Sequence, residues 1–97
     1  MLEMYARFIA EYFGKDKQLE KLKEELKELS YECDRVLKED IKELDYSFLE
    51  EVADVFNMIE QLKYLFDDKN LNDKIKQIRK EKNERTLNRI EEGDFYQ

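Results

Sequence analysis

The chain has 97 residues, enough for one small domain, and 44% of them are charged, with a net charge of −7. This acidic balance disfavours nucleic-acid binding through the whole surface, and the sequence contains neither a membrane-spanning apolar run nor a signal-peptide pattern. Because histidine is absent, the usual zinc sites and histidine-dependent triads are excluded. Any metal would be held by carboxylate oxygens, which favour Mg²⁺ or Mn²⁺.

The sequence predicts an all-α, four-helix bundle-like chain that forms a single domain over residues 1–97. The absence of proline and the presence of only two glycines favour long helices with short connections. Leucine, isoleucine and aromatic residues are too plentiful for a disordered chain. The predicted helices span residues 2–13, 16–38, 47–66 and 72–91, and residues 93–97 are expected to be loose.

The first two helices each carry an apolar face. In the first helix it consists of Leu2, Tyr5, Phe8, Ile9 and Tyr12, before Gly14 ends the helix. Asp16 is expected to cap the second helix, whose apolar positions alternate in steps of three and four. They are Leu19, Leu22, Leu26, Leu29, Cys33 and Val36. On this stripe, the only cysteine, Cys33, is expected to be a reduced core residue in a cytoplasmic protein.

Residues 48–66 form the most apolar run and are expected to be the central helix of the core. Large side chains recur every three or four positions. They are Phe48, Val52, Val55, Phe56, Ile59, Leu62 and Phe66. Ser47 is the predicted N-cap, with Glu50 completing a capping box. Because this helix is apolar nearly all round, a single 97-residue chain would struggle to cover it.

Three polar residues, Glu51, Asp54 and Asn57, follow one line on this apolar helix. A buried carboxylate needs a partner, because an unpaired buried charge costs several kcal/mol. On the second helix, Glu25 and Glu28 have the same spacing as Glu51 and Asp54. In an antiparallel hairpin, the numbers of facing residues have a constant sum. Glu25 with Asp54 and Glu28 with Glu51 both give 79, which predicts that the four carboxylates converge and attract a hard divalent cation.

Alternatives to this convergence exist. Glu25 and Glu28 can form solvated ion pairs with neighbours such as Lys21, and Asp54 can be a single buried acid paired with a lysine or arginine. The two helices also differ in length beyond the acids. The connection must therefore climb back by about six residues, roughly 9 Å of helix.

The predicted last helix changes character along its length. Its apolar stripe begins with Leu71, Ile75 and Ile78, but the next eight residues contain no apolar side chain. The same line continues through Lys82, Arg85 and Arg89. Positive charge is therefore expected to replace apolar packing on the inward side.

The acidic residues and their flanks resemble the MazG-like, all-α nucleoside triphosphate pyrophosphohydrolases, and in particular their small phage-type members. The family pattern EExxE, followed after a spacer by ExxD, is similar to Glu24-Glu25-Leu-Lys-Glu28 and, after 22 intervening residues, Glu51-Val-Ala-Asp54. The flanks that resemble the family are residues 18–26, 53–62 and 82–93. The resemblance covers roughly residues 12–93.

The resemblance implies that Glu25, Glu28, Glu51 and Asp54 bind Mg²⁺, with Mn²⁺ as a substitute. It implies hydrolysis of nucleoside triphosphates between the α and β phosphates, giving a monophosphate and pyrophosphate, as in housecleaning of the nucleotide pool. Glu24, or another carboxylate of the cluster, is the candidate for orienting the attacking water. The resemblance also implies a homodimer or homotetramer in which helices from different subunits complete the site.

Further candidates concern substrate binding. Asn57 continues the acidic line by one turn and is a candidate partner of a ligand carboxylate, a phosphate or the sugar; a polar contact between helices is its alternative. Lys82, Arg85 and Arg89 are candidates for the phosphates, in the same or a neighbouring subunit. Their alternative is a solvated basic face that pairs with neighbouring glutamates. No base preference is predicted.

Two other functions compete with hydrolysis. In a non-enzymatic interaction protein, the heptad-like stripes would bind partner helices, and Asp54 and Asn57 would set the register. A carboxylate-bridged redox metal protein is disfavoured, because di-iron bundles generally use histidine alongside glutamate.

Overall fold

A computed structural model describes residues 1–93 of the chain, and all regular structure in this range is helical. The helices are α1 (Leu2–Phe13), α2 (Lys15–Lys38), α3 (Tyr46–Leu65) and α4 (Leu71–Glu91). The predicted all-α class with four helices is confirmed, and each predicted boundary lies within one residue of the observed one. The prediction for the end of the chain falls almost entirely outside the described residues. Within them, no helix combines the length and hydropathy needed to cross a bilayer.

The chain divides into two compact units, residues 1–67 and residues 68–97. In the first unit, α3 packs against both α1 and α2. The predicted central helix is therefore central to this unit. Whether the two units form a single domain stays a prediction.

Helices α2 and α3 form an antiparallel hairpin whose register agrees with the constant sum of 79. The side-chain Nε2 of Gln18 donates a hydrogen bond of 2.8 Å to Oε1 of Gln61, and both residues are buried. Their numbers add up to 79, as do those of the acidic pairs on the same two helices. Gln18 and Gln61 lie seven positions, or two turns, from Glu25 and Asp54 respectively, so one helix face carries both pairs.

The connection between α2 and α3 runs back along the end of α2. The different lengths of the two helices beyond the acids predicted this course. The backbone N–H of Ile41 donates to the carbonyl of Val36 at 3.1 Å, and Asp40 adopts a positive φ of 52°. Arg35 on α2 then holds Asp45, the residue that caps α3, through two hydrogen bonds of 2.7 and 2.9 Å. These contacts fix the level at which α3 begins.

The buried core is small, and it corrects the predicted face of α1. Among residues 1–93, the buried apolar residues are Ala6, Ala10, Val55 and Met58. The large residues of the predicted face are exposed: Leu2, Tyr5, Phe8, Ile9 and Tyr12. Only small alanine side chains of α1 are buried in this unit, since they permit close approach between helices. The apolar pattern of the sequence identifies an apolar face of α1, but it does not identify which part of that face is buried against other helices.

The face of α2 that packs on α3 is more polar than predicted. Its buried and half-buried positions include Gln18, Leu22, Glu25, Leu29, Glu32 and Val36. Leu26 and Cys33, from the predicted stripe, are exposed instead. The prediction that Cys33 is a core residue is wrong, because Glu32 takes the inward position and turns the thiol outward. On α3, Phe56, Ile59 and Phe66 are exposed as well.

Two predicted helix caps are also wrong. Asp45 caps α3, since its side chain accepts a hydrogen bond of 3.2 Å from the backbone N–H of Phe48. Ser47, the predicted cap, already lies inside the helix. At the start of α2, the N-cap is Gly14 rather than Asp16. Gly14 ends α1 as predicted and joins the two helices with a φ of 85°.

The second unit consists of α4 and the residues around it. Asp68 accepts hydrogen bonds from the backbone N–H of Asn70 at 3.0 Å and from Nζ of Lys74 at 2.8 Å, which ties down the start of the helix. No residue of α4 is fully buried. The expected inward side of its second half is not observed: Lys82, Arg85 and Arg89 are exposed. The apolar side chains on that half, Leu87 and Ile90, are exposed as well.

Candidate metal centre

Four carboxylates converge where α2 and α3 face each other. Glu25 and Glu28 of α2, and Glu51 and Asp54 of α3, each offer an oxygen, and these four oxygens lie within 4.8 Å of one another. The i, i+3 spacing places both acids of a pair on one side of their helix. The antiparallel register then brings the pairs to one level, as the sequence predicted.

Two oxygens of this acidic cluster are buried without a hydrogen-bond donor among residues 1–93. They are Oε2 of Glu25 and Oε2 of Glu51. The side chain of Glu25 is only 6% exposed, so water does not replace the missing donor. A buried carboxylate oxygen without a partner loses the full free energy of its hydration, and a positively charged ligand could supply the missing partner.

The carboxylates of the cluster also disfavour one another's ionisation. Burial, a hydrogen bond with Glu28 and the negative charges of the other acids raise the pKa of Glu51 to about 7. Burial and the charge of Glu25 likewise raise the pKa of Asp54. In the absence of a cation, the cluster therefore holds on to protons close to neutral pH. A divalent cation would reverse this effect by stabilising the ionised forms.

One lysine partly balances the charge of the acidic cluster. Nζ of Lys21 lies 3.1 Å from Oε1 of Glu25 and 3.7 Å from Oε2 of Glu24. The hydrogen bond with Glu25 raises the pKa of Lys21. The alternative of an ion pair with Lys21 is thus observed for Glu25, but this carboxylate is buried rather than solvated. No lysine or arginine of residues 1–93 forms a salt bridge with Asp54, so a single ammonium group faces four carboxylates.

An open cleft of about 720 Å³ adjoins the acidic cluster. It lies among the three helices of the first unit, and its surface is predominantly apolar. Glu25 and Asp54 contribute to its wall, together with Ile9, Phe13, Gln18, Met58 and Gln61. A ligand bound by the acids can therefore extend an apolar group into the cleft.

Glu24 and Asn57 also line this cleft, but neither belongs to the four-carboxylate cluster. Both residues are exposed. The side chain of Asn57 makes no hydrogen bond within the described residues, so the alternative of a polar contact between helices is not observed there. The roles of Glu24 in orienting water and of Asn57 in binding substrate stay predictions.

The sequence reasoning missed the Gln18–Gln61 pair, which lies in the wall of the same cleft. A signal for it was present. The two residue numbers satisfy the constant sum of 79, and each glutamine lies seven residues from an acid of the cluster. Applying the register to amides as well as carboxylates would have found the pair.

The basic face of α4 lines a separate open depression of about 340 Å³ in the second unit. It is lined by Lys82, Asn83, Arg85, Thr86 and Arg89. The neighbouring glutamates have other partners: Glu84 lies 4.0 Å from Nζ of Lys80, and Glu81 accepts a hydrogen bond from Gln77. The alternative of ion pairing with these glutamates is therefore not observed for Lys82, Arg85 or Arg89 among residues 1–93. Their contact with phosphates stays a prediction.

Comparisons of the chain with protein-family models, with curated proteins and with solved structures find no match. The resemblance to the MazG-like enzymes therefore rests on the motifs of this sequence alone.

Proposed function

We propose that the protein is a Mg²⁺-dependent nucleoside triphosphate pyrophosphohydrolase that releases a monophosphate and pyrophosphate. The observation that carries this proposal is the acidic cluster, in which four carboxylates converge and two buried oxygens have no donor within residues 1–93. The apolar cleft beside it adds a place for the nucleobase. The resemblance of the EExxE and ExxD motifs to the MazG-like enzymes selects this reaction among those that acidic metal sites support.

The donor set fits a hard divalent cation. Glu25, Glu28, Glu51 and Asp54 would hold it, since all four offer carboxylate oxygens and the chain has no histidine. Mn²⁺ would substitute for Mg²⁺, because both prefer oxygen ligands. When bound, the metal supplies charge neutralisation for the triphosphate and a lower pKa for the attacking water.

The remaining residues position the substrate and the water. Glu24, exposed at the edge of the cleft, is proposed to orient the attacking water, and Asn57 to contact the sugar or a phosphate. The apolar cleft wall would hold the base and exclude water from its faces. With the metal lowering the pKa of the attacking water and Glu24 orienting it, hydrolysis can proceed in a chain without a histidine base.

We also propose that the chain works as a homodimer or homotetramer. The largest side chains of α1 are exposed, and so are Phe56, Ile59 and Phe66 of α3. Soluble proteins rarely leave many large apolar side chains uncovered on neighbouring helices. Light scattering should give a mass of two or four chains, and Phe8→Glu should reduce it, whereas Arg7→Glu on the same helix should not. A wild-type monomer at micromolar concentration would contradict the assembly.

The proposed activity is tested with a panel of ribo- and deoxyribonucleoside triphosphates, including modified bases, in Mg²⁺ and in Mn²⁺. The expected products are pyrophosphate and the monophosphate in equal amounts. Release of inorganic phosphate with a diphosphate would place the cleavage at the wrong bond. If no triphosphate gives pyrophosphate above background, and neither metal raises the melting temperature, the proposal is wrong. The exposed apolar helix faces would then favour the alternative of a protein that binds partner helices.

A further inference from the structure

We propose that Gln18 and Gln61 read the edge of the nucleobase and select bases that carry an exocyclic amino group over their oxo counterparts. This inference rests on the proposed function, because it assigns the base specificity of the same site. It concerns two residues that lie outside the acidic cluster and that the EExxE and ExxD motifs do not include.

The position of the pair suits a base-reading role. Gln18 and Glu25 lie on the same face of α2, seven residues apart, and Gln61 and Asp54 have the same relation on α3. The glutamine pair therefore lies about 10 Å along the hairpin from the acids, a distance that a nucleoside can bridge between its base and its α-phosphate. Because Gln18, Gln61, Glu25 and Asp54 all line the cleft, a substrate held by the acids would reach the amides without leaving it.

The orientation of the two amides follows from a third side chain. Nε2 of Gln61 lies 3.9 Å from Sδ of Met58, and a thioether sulfur can only accept a hydrogen bond. The amide nitrogen of Gln61 therefore faces Met58, and its Oε1 faces Gln18, whose Nε2 donates to it at 2.8 Å. This chain of contacts leaves Oε1 of Gln18 as an acceptor without a donor in residues 1–93.

The unpaired acceptor is accessible and rigidly held. Gln18 and Gln61 are 6% and 3% exposed, so packing fixes their amides. Among residues 1–93, the fully buried oxygens without a partner belong to Glu25 and Glu51; Oε1 of Gln18 is not among them, and Gln18 lines the cleft. A fixed carbonyl acceptor binds an amino group and repels a carbonyl oxygen, because the latter offers only lone pairs.

This geometry predicts a preference between bases that differ in a single group. Cytosine carries an amino group where uracil carries an oxygen, and adenine carries one where hypoxanthine carries an oxygen. One hydrogen bond to a fixed, largely desolvated acceptor corresponds to a ratio in kcat/KM of at least about tenfold. The preference should therefore appear in both matched pairs if both ring sizes enter the cleft, and in one pair if only one does.

The test compares pyrophosphate release from dCTP with dUTP, and from dATP with dITP, at equal Mg²⁺. The wild-type protein should favour the amino-bearing member of at least one pair by at least about tenfold in kcat/KM. In the double variant Gln18→Met/Gln61→Met, which replaces both amides with apolar side chains of similar length, the ratio should fall towards one. Lys23→Met, a change of similar size on the exposed side of α2, should keep the wild-type ratio.

The other outcomes distinguish a failure of the base-reading role from a failure of the proposed activity. Hydrolysis of all four triphosphates with a ratio near one, or a preference for the oxo bases, would overturn the base-reading role and leave the proposed activity standing. A preference for amino-bearing bases that survives in the double variant would assign selectivity to other residues. If none of a wider panel of triphosphates releases pyrophosphate, the proposed function fails, and this inference fails with it. Even if the double variant does not fold, the wild-type ratios between amino-bearing and oxo bases still test the base-reading role.

Discussion

Arg35 on α2 binds both carboxylate oxygens of Asp45, at 2.7 and 2.9 Å, and Asp45 in turn caps α3. The guanidinium also contacts Glu32 at 3.0 Å, one turn earlier on α2. These contacts fix where α3 starts relative to α2. Because Glu51 lies less than two turns after this start, the Arg35–Asp45 contact sets the level at which the acids of the two helices meet.

Removing this contact should weaken the fold and the acidic cluster together. We expect Arg35→Met to lower the melting temperature by about 4–8 °C, because two charge-assisted hydrogen bonds and the support of a helix cap are lost. Thermal unfolding followed by circular dichroism measures the change. Lys42→Met is the matched control, since it removes the exposed Lys42–Asp40 ion pair, which should contribute little. Equal effects of the two substitutions would contradict the role of Arg35.

Replacing Glu51 with glutamine should separate the stability of the fold from metal binding. In metal-free buffer at pH 8, Glu51→Gln should unfold at a higher temperature than wild type, because it removes a charge that burial and three neighbouring acids disfavour. The same variant should lose the stabilisation by Mg²⁺ and at least about a hundredfold in pyrophosphate release.

Glu43→Gln, in the exposed connection, provides the control for this substitution. It should retain both the stabilisation by Mg²⁺ and the activity. If Glu51→Gln still responds to Mg²⁺ with a wild-type rise in melting temperature, Glu51 does not hold the metal.

The pKa of Glu51 predicts an unusual dependence of stability on pH. Its pKa is raised from 4.5 to about 7 in the folded chain, so between these values the folded state binds more protons than the unfolded state. The contribution of Glu51 to the free energy of unfolding should therefore decrease as the pH rises from about 4.5 to 7 and then level off. Denaturation with urea in the presence of a chelator measures this slope, and Glu51→Gln should flatten it.

Metal binding should show the opposite trend with pH. A divalent cation must displace the proton from the cluster, so its affinity should rise as the pH increases through about 7. Calorimetric titrations with Mg²⁺ at pH 6 and pH 8, in buffers of different ionisation enthalpy, would reveal the released proton. An affinity that does not change between these pH values would contradict a protonated cluster in the metal-free protein.

Gly14 should be required for the turn between α1 and α2. Its φ of 85° and ψ of 170° lie in a region that only glycine adopts readily, while a β-carbon at this position would touch nothing within 4 Å. Gly14→Ala should therefore lower the free energy of unfolding by about 1–3 kcal/mol through the backbone alone. A synthetic chain with D-alanine at this position should fold with wild-type stability or better, since a D-residue favours positive φ. Equal stability of both alanine variants would exclude backbone strain as the cause.

The sequence by itself determined the local features of this protein. Helix boundaries came within one residue, because glycine and apolar periodicity act over a few neighbours, although two of the capping residues were misassigned. The convergence of Glu25 with Asp54 could also be predicted from the sequence. In two antiparallel helices, one pair of facing residues fixes all the others. The same arithmetic would have located Gln18 opposite Gln61.

Only the tertiary structure decided which part of each apolar surface is covered. Periodicity assigned Cys33 to the core of α2 and the large side chains of α1 to a packed face, whereas the structure exposes both. The choice depends on what the neighbouring helices present. Opposite the carboxylates and the amide of α3, α2 turns Gln18, Glu25 and Glu32 inward and leaves part of its leucine stripe exposed. The rotation of a helix about its axis depends on side chains distant in sequence, and no local pattern contains that information.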